Sequence, residues 1–290
     1  MVLTERAPAK VNLSLAVVGR RPDGFHELVS VVAPLSLADT LTWEPATAES
    51  LACDDPTVPA DGSNLVLKAA AAYRRARPEA PVGRFTLAKR APHGAGLGGG
   101  SSDAAAALRL LDRASGRPMG PDRLRAIAAE VGSDCPLFVD PRPCVLRGRG
   151  ERVEVLPAEV AAAWSGRRLL LAKPSFGVST PDAYRWRASR GAYASPVAAE
   201  AALALALASG DPASVVALGN DLQDPVFDAL PALRKGVERV RDRLGLGLTL
   251  TGSGSACFAL VGDGVDPDAV RSVLEPDWGG DVWTRLVDLA

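Results

Sequence analysis

Pro92-His93-Gly94-Ala95-Gly96-Leu97-Gly98-Gly99-Gly100-Ser101-Ser102-Asp103 sets five glycines within seven positions and runs directly into Ala104-Ala105-Ala106-Ala107-Leu108-Arg109-Leu110-Leu111. Without Cβ atoms, several backbone N–H groups can turn inward and approach an anion, and a helix starting near Ser101 adds its positive end. Arg84-Phe85-Thr86-Leu87-Ala88-Lys89 upstream reads as a strand, and the alanine-rich helix should end near Gly116, so the order is strand, loop, helix. Ser101 and Ser102 bring hydroxyls to where phosphate oxygens or a bound Mg²⁺ would lie. Glycines also punctuate flexible turns, but such crowding before a strong helix former favours an anion cradle. A Walker A loop is excluded, because Gly100 stands where lysine is required. The dinucleotide fingerprint matches formally at Gly94-x-Gly96-x-x-Gly99, yet no strand with a terminal acidic residue follows at the expected distance.

Outward from this loop, the first forty residues read as extended: Val11 to Val18, then Leu28 to Val32 after the turn Pro22-Asp23-Gly24, then Thr40 to Trp43. Asn64 can cap a helix with Leu65, Ala69, Ala72 and Tyr73 on its apolar face. Another helix starts at Pro121 and stops at Gly132, which leaves Ser133-Asp134-Cys135-Pro136 in a break. From Arg167 a strand, several Ala/Leu-rich helices, the turn Gly252-Ser253-Gly254-Ser255 between two strands, and a last helix and strand suit an α+β half with its own core. The boundary is expected near residue 155, giving domains 1–155 and 156–290.

The chain has 290 residues, 47% of them hydrophobic, with 33 basic residues against 34 acidic ones. No basic field exists to hold a polyphosphate or an anionic membrane, so nucleic acid and membrane are not expected partners. Four cysteines without a C-x-x-C pair, and two histidines, disfavour a zinc site or a disulfide framework, and no metal ligands are assigned. Reduced thiols and the lack of a signal-like start lead us to expect a cytoplasmic protein.

Pro92-x-x-x-Gly96-Leu97-Gly98-Gly99-Gly100-Ser101-Ser102 resembles the ATP-binding motif of the galactokinase, homoserine kinase and mevalonate kinase (GHMP) superfamily. Ala7-Pro8-Ala9-Lys10-Val11-Asn12-Leu13 resembles its first motif. Gly132 to Phe138 resembles its catalytic-aspartate block, and Leu250 to Phe258 its C-terminal glycine motif. Arg21-Pro22-Asp23-Gly24-Phe25-His26 close behind the first motif resembles the branch whose acceptor carries a cytidine diphosphate. The resemblance implies an α+β two-domain GHMP kinase fold, with an N-terminal nucleotide-binding α/β domain, a C-terminal ferredoxin-like domain and the active site in the cleft between them. It also implies ATP with Mg²⁺, a monomer or homodimer, and phosphorylation of a hydroxyl of a cytidine-diphosphate ester of methylerythritol, on the methylerythritol phosphate route to isoprenoid precursors. Another GHMP kinase such as a homoserine kinase is the nearest alternative, and an RNA-binding module is one of another class.

Phosphoryl transfer needs a placed hydroxyl, a group to take its proton, and positive charge on the transferring group. Asp134 fits the base, although an aspartate there could equally cap the element beginning at Pro136. Lys10 could be an ordinary surface lysine, but its place between Ala9 and an alternating strand would aim its charge inward. By resemblance, ATP is expected on Pro92, His93, Gly94, Ala95, Gly96, Leu97, Gly98, Gly99, Gly100, Ser101 and Ser102, with Asn64 and Lys89 facing adenine, although these last two residues alone read nearly as well as surface positions. The acceptor is expected on Asn12, Thr251, Gly252 and Ser253, the last three of which could instead hold phosphate oxygens or simply turn a hairpin. Phe25 and Tyr184, by default partly buried aromatics, would form two faces of a cytosine slot with His26 at the base edge. Phe25 stands where the family usually has Tyr, which keeps the face and loses a hydroxyl.

Overall fold

In the computed structural model, which describes residues 1–290, the Asn64 side chain accepts the Val66 N–H at 2.9 Å and starts α1 (Leu65–Ala76). Pro121 opens and Gly132 closes α3 (Pro121–Val131), as local chemistry demands. Between them α2 (Gly99–Ala114) begins two residues before Ser101, because Gly98 adopts a left-handed φ of +70° and takes the capping position. The three helices pack together. Buried Ala69, Ala70 and Ala72 on α1 and Ala104 to Ala107 on α2 let backbones approach closely, and Tyr73 donates to Asp112 at 2.9 Å.

The strands are β1 (Leu3–Arg20), β2 (His26–Pro45), β3 (Ser50–Cys53), β4 (Gly83–Ala88), β5 (Cys144–Gly148), β6 (Arg152–Val155), β7 (Arg168–Lys173), β8 (Thr249–Leu250), β9 (Cys257–Leu260) and β10 (Trp283–Asp288). The stretches expected as separate strands at Leu28 to Val32 and Thr40 to Trp43 are one strand of 20 residues. Its two halves serve different neighbours: residues 28–32 pair with β5, and residues 40–45 with β4. Pro34, which has no N–H to donate, lies between those registers.

The chain forms two compact units, each discontinuous in sequence. The first comprises Met1–Lys10, Ser36–His93 and Gly98–Arg142, with α1, α2 and α3 and a core that includes Trp43, Phe85, Leu87 and Leu108. The second comprises Val11–Leu35, Gly94–Leu97 and Pro143–Ala290. Its C-terminal sheet has the antiparallel order β10-β7-β9-β8, with helices intervening between β7 and β8 and between β9 and β10. That is the β-α-β-β-α-β arrangement of a ferredoxin-like domain. Leu170, Leu250, Val270 and Trp278 lie in its core, and Leu15 and Val17 of β1 join them.

Candidate active site

The glycines of the loop do different things. Gly94, Gly96 and Gly98 all have positive φ. A Cβ on Gly96 would stand 2.9 Å from the carbonyl oxygens of Thr251 and Gly254, and the Ala256 N–H bonds Ala95 O at 3.1 Å, so this part of the loop is seated on the Thr251 to Gly254 turn. A Cβ on Gly98 would meet the Phe138 ring at 2.7 Å and Lys10 Cγ at 3.1 Å. A Cβ on Gly94 would meet nothing within 4 Å and one on Gly100 only Leu65 Cδ1 at 3.7 Å, so these two leave open approach. The first N–H that α2 satisfies is that of Ser102, on Gly98 O at 3.0 Å; those of Gly99, Gly100 and Ser101 are the free donors of a helix N-terminus. The Ser102 hydroxyl is buried without a partner.

Lys10 lies beside this loop and is only 5% exposed. Burial pushes its ammonium down from the usual range, and the charge of Asp134 pulls it back up. Asp134 is half-buried just before a 3₁₀ helix (Cys135–Val139), and its side chain makes no capping bond. The capping role left open by the sequence is therefore unfilled. Arg109, on α2, fixes the two backbones that carry this pair: it donates to Phe138 O in the 3₁₀ helix, to Arg6 O at 2.8 Å, and to Glu5 at 3.0 Å on β1. Its one sequence signal was a lone cation in the apolar run Ala104 to Leu111.

Two residues expected at adenine are engaged elsewhere. Asn64 spends its oxygen on the α1 cap and its amide on Pro59 O at 2.6 Å. The Lys89 ammonium turns inward onto Asp39 and Asp103, which leaves its backbone rather than its charge at the loop's edge.

Asn12, Thr251, Gly252 and Ser253 do come together. The Asn12 N–H bonds the fully buried Thr251 Oγ1 at 2.8 Å, its amide donates to Ser30 at 2.8 Å, and Ser30 donates to Ser14 O at 2.6 Å. Ser253 shares a hydrogen bond of 2.8 Å with Thr180, at the start of α5 (Thr180–Ala188) once the helix Ala158–Trp164 is counted as α4. Asn220, absent from the sequence reading, holds the turn by donating to Leu250 O and Gly252 O, both at 2.8 Å. The polar pair Asn220-Asp221 closing an Ala/Leu-rich region was the available signal; Asp221 accepts the Val17 N–H at 2.8 Å.

The aromatic residues pair differently from the expectation. His26 stacks on Tyr184 with ring centres 5.1 Å apart and planes 23° apart, and Tyr193 meets His26 edge-on at 5.9 Å. Phe25 is 49% exposed, with the Arg149 guanidinium 5.0 Å from its ring centre. His26 Nε2 is buried and has no partner. Burial, then the charges of Arg20 and Arg187, lower the imidazole's pKa, so near neutral pH the ring is uncharged, with one donor and one acceptor nitrogen.

Comparison with known proteins gives a consistent set. Residues 64–146 match the GHMP kinases N terminal domain and residues 201–279 the GHMP kinases C terminal domain. The chain is 40% identical to a 4-diphosphocytidyl-2-C-methyl-D-erythritol kinase of Rhodopseudomonas palustris, over 96% of this chain and 95% of that one. It is 38% identical to the Salinibacter ruber protein of the same name, over 95% and 96%. A crystal structure of 4-(cytidine 5'-diphospho)-2C-methyl-D-erythritol kinase superposes with a TM-score of 0.75 at 36% identity, covering 99% of both chains. A homoserine kinase from Cytophaga hutchinsonii shares the fold at 17% identity, with a TM-score of 0.68 over 99% of this chain and 94% of that one.

Proposed function

Since the chain belongs to the GHMP kinases, and among them to the 4-diphosphocytidyl-2-C-methyl-D-erythritol kinases, we propose how its own residues divide the work of that reaction. The enzyme transfers a phosphoryl group from ATP to the 2-hydroxyl of 4-diphosphocytidyl-2-C-methyl-D-erythritol, in the methylerythritol phosphate pathway. A new bond forms between the acceptor oxygen and the γ-phosphorus, the bond to the β-phosphate oxygen breaks, and the hydroxyl proton must leave.

Asp134 takes that proton and Lys10 offsets the negative charge on the transferring group. The observation that supports this most is their place: a buried lysine, touched by the field of an uncapped aspartate, beside the left-handed Gly98 at which α2 begins. The free N–H groups of Gly99, Gly100 and Ser101 receive phosphate oxygens, with Gly94 and Gly100 leaving room for the anion. Asn12 and the Thr251 to Ser253 turn hold the acceptor's polyol. Phe25 offers its exposed face to cytosine and His26 reads the base edge through its unpartnered Nε2.

Mg²⁺ accompanying ATP takes most of its ligands from phosphates and water. The chain has no group of three or more His, Cys, Asp or Glu side chains spaced for a metal. Ser101, half-exposed in the first turn of α2, is the side chain placed to join it. When bound, the metal would neutralise charge on the β- and γ-oxygens.

ADP release with ATP and each of three acceptors, 4-diphosphocytidyl-2-C-methyl-D-erythritol, homoserine and mevalonate, tests the assignment. Turnover with the cytidine-diphosphate ester alone is expected; preference for homoserine or mevalonate would overturn it.

A further inference from the structure

Lys89 stands where the chain leaves β4 for the glycine loop, and Asp103 stands in the early turns of α2, where the loop ends. The Lys89 ammonium contacts Asp39 and, at 2.8 Å, Asp103. Asp39, on β2, also accepts the backbone N–H groups of Arg90 at 2.5 Å and Ala91 at 2.9 Å, the last two residues before Pro92. One cation and two carboxylates thus hold both the entry and the exit of a loop whose middle is glycine. The side chains of Lys89, Asp39 and Asp103 are 6%, 0% and 4% exposed.

Stability alone does not account for such a group. Two carboxyl groups and an ammonium are costly to take out of water, and well-packed apolar side chains of similar volume commonly serve as well or better. Asp103 Oδ1 is left with no partner. What an ionic group supplies and an apolar one does not is direction: each bond fixes an atom of the strand end or of the helix start against the other.

We infer that Lys89 is a positioning residue of the nucleotide loop, clamped between Asp39 and Asp103 so that the strand entering the loop and the helix leaving it keep a fixed span. The free N–H groups of Gly99, Gly100 and Ser101 then stay aimed at one place. Lys89 acts through this link and without touching the nucleotide by its charge. The inference rests on the reading of the loop as the nucleotide site.

The test is calorimetric titration of ADP into the wild type, Lys89→Met, and the double variant Lys89→Met/Asp103→Asn. The double variant removes the ammonium together with the α2 carboxyl group it holds, so neither is left buried without the other and the link from strand end to helix start is lost. Its Kd for ADP and its KM for ATP should rise by about tenfold or more, the scale expected when a binding group is misplaced. Its kcat and its KM for the acceptor should stay within about threefold, as for a loss confined to nucleotide binding. A folded double variant that binds ADP within about threefold of the wild type overturns the inference, and so does a parallel loss of ADP affinity, acceptor affinity and kcat, which is the pattern of a loosened structure. Should Lys89→Met fail to fold, the double variant decides, since it buries fewer ionisable groups than the wild type. A wild type that binds ADP but leaves the acceptor untouched sinks the acceptor assignment alone, and the ADP titrations still decide the role of Lys89. A wild type that does not bind ADP sinks both.

Discussion

Replacing Gly96 by alanine would place a methyl group where the backbone of the Thr251 to Gly254 turn already lies. The new Cβ would stand 2.9 Å from two carbonyl oxygens, on a residue whose φ is +79°. A left-handed backbone costs a residue with a side chain about 1 to 2 kcal/mol. Making the turn give way adds about 1 to 3 kcal/mol, the usual cost of overpacking. The sum, about 2 to 5 kcal/mol, is a large part of an ordinary domain's stability. Gly94→Ala is the matched control: its φ is +65° and its Cβ would meet nothing within 4 Å, so it incurs the backbone cost alone. Urea unfolding of the three proteins, with a shared m-value, should place Gly96→Ala below Gly94→Ala by about 1 to 3 kcal/mol. Because Thr251 Oγ1 receives the Asn12 N–H, a shifted turn should also raise the KM for the acceptor in Gly96→Ala. Equal destabilisation by the two substitutions would refute the claim that the loop is seated on that turn.

Asp134→Asn should retain the fold and ADP binding while losing about 10² to 10⁴ in kcat, and a loss under tenfold would remove it as the base. The uridine analogue of the acceptor should show kcat/KM lower by about tenfold or more; His26→Ala should narrow that gap and Phe25→Ala should weaken both substrates together, whereas equal use of both bases by the wild type would end the case for His26 as reader. Burial, above all, pushes Asp103 up to about 7, so the folded chain keeps a proton that the unfolded chain releases near about pH 4. The folded state then binds the extra proton between those values, and stability falls as pH rises through that window. Thermal unfolding of Asp103→Asn should show this fall flattened, with a midpoint at pH 8 no lower than that of the wild type; an undiminished slope would place the titration elsewhere.

What could be read in advance was local. The Asn64 cap, Pro121 and Gly132 at the ends of α3, and the strand, loop, helix order around the glycines all depend on residues a few positions apart. The break carrying Asp134 followed from the same signals. The single long β2 was not legible, because its two halves find their partners at β4 and β5, far along the chain. Nor was the inward turn of Lys89, since Asp39 lies 50 residues away and an isolated lysine reads as surface. The stack of His26 on Tyr184 likewise joins distant segments, and the sequence offers Tyr184 by default only as a partly buried aromatic. Arg109 and Asn220 were missed for a related reason: each works by donating to backbone carbonyls, which leave no mark in the sequence.

The hydrogen bond from Asn12 to Thr251 spans 239 residues, and it sets a timetable for synthesis. Every residue of the first unit has been made once Arg142 is joined, whereas Val11–Leu35 of the second unit must wait for partners at the far end of the chain. At about 5 to 20 residues per second, the stretch of about 110 residues from Arg142 to Thr251 takes roughly 5 to 20 s. For that time the apolar strand residues Leu13, Leu15 and Val17, destined for full burial, have no C-terminal sheet to meet. The second unit is thus the last part to mature on the ribosome, and a nascent chain arrested before Thr251 exposes an apolar segment near its N-terminus, of the kind that a holding chaperone binds.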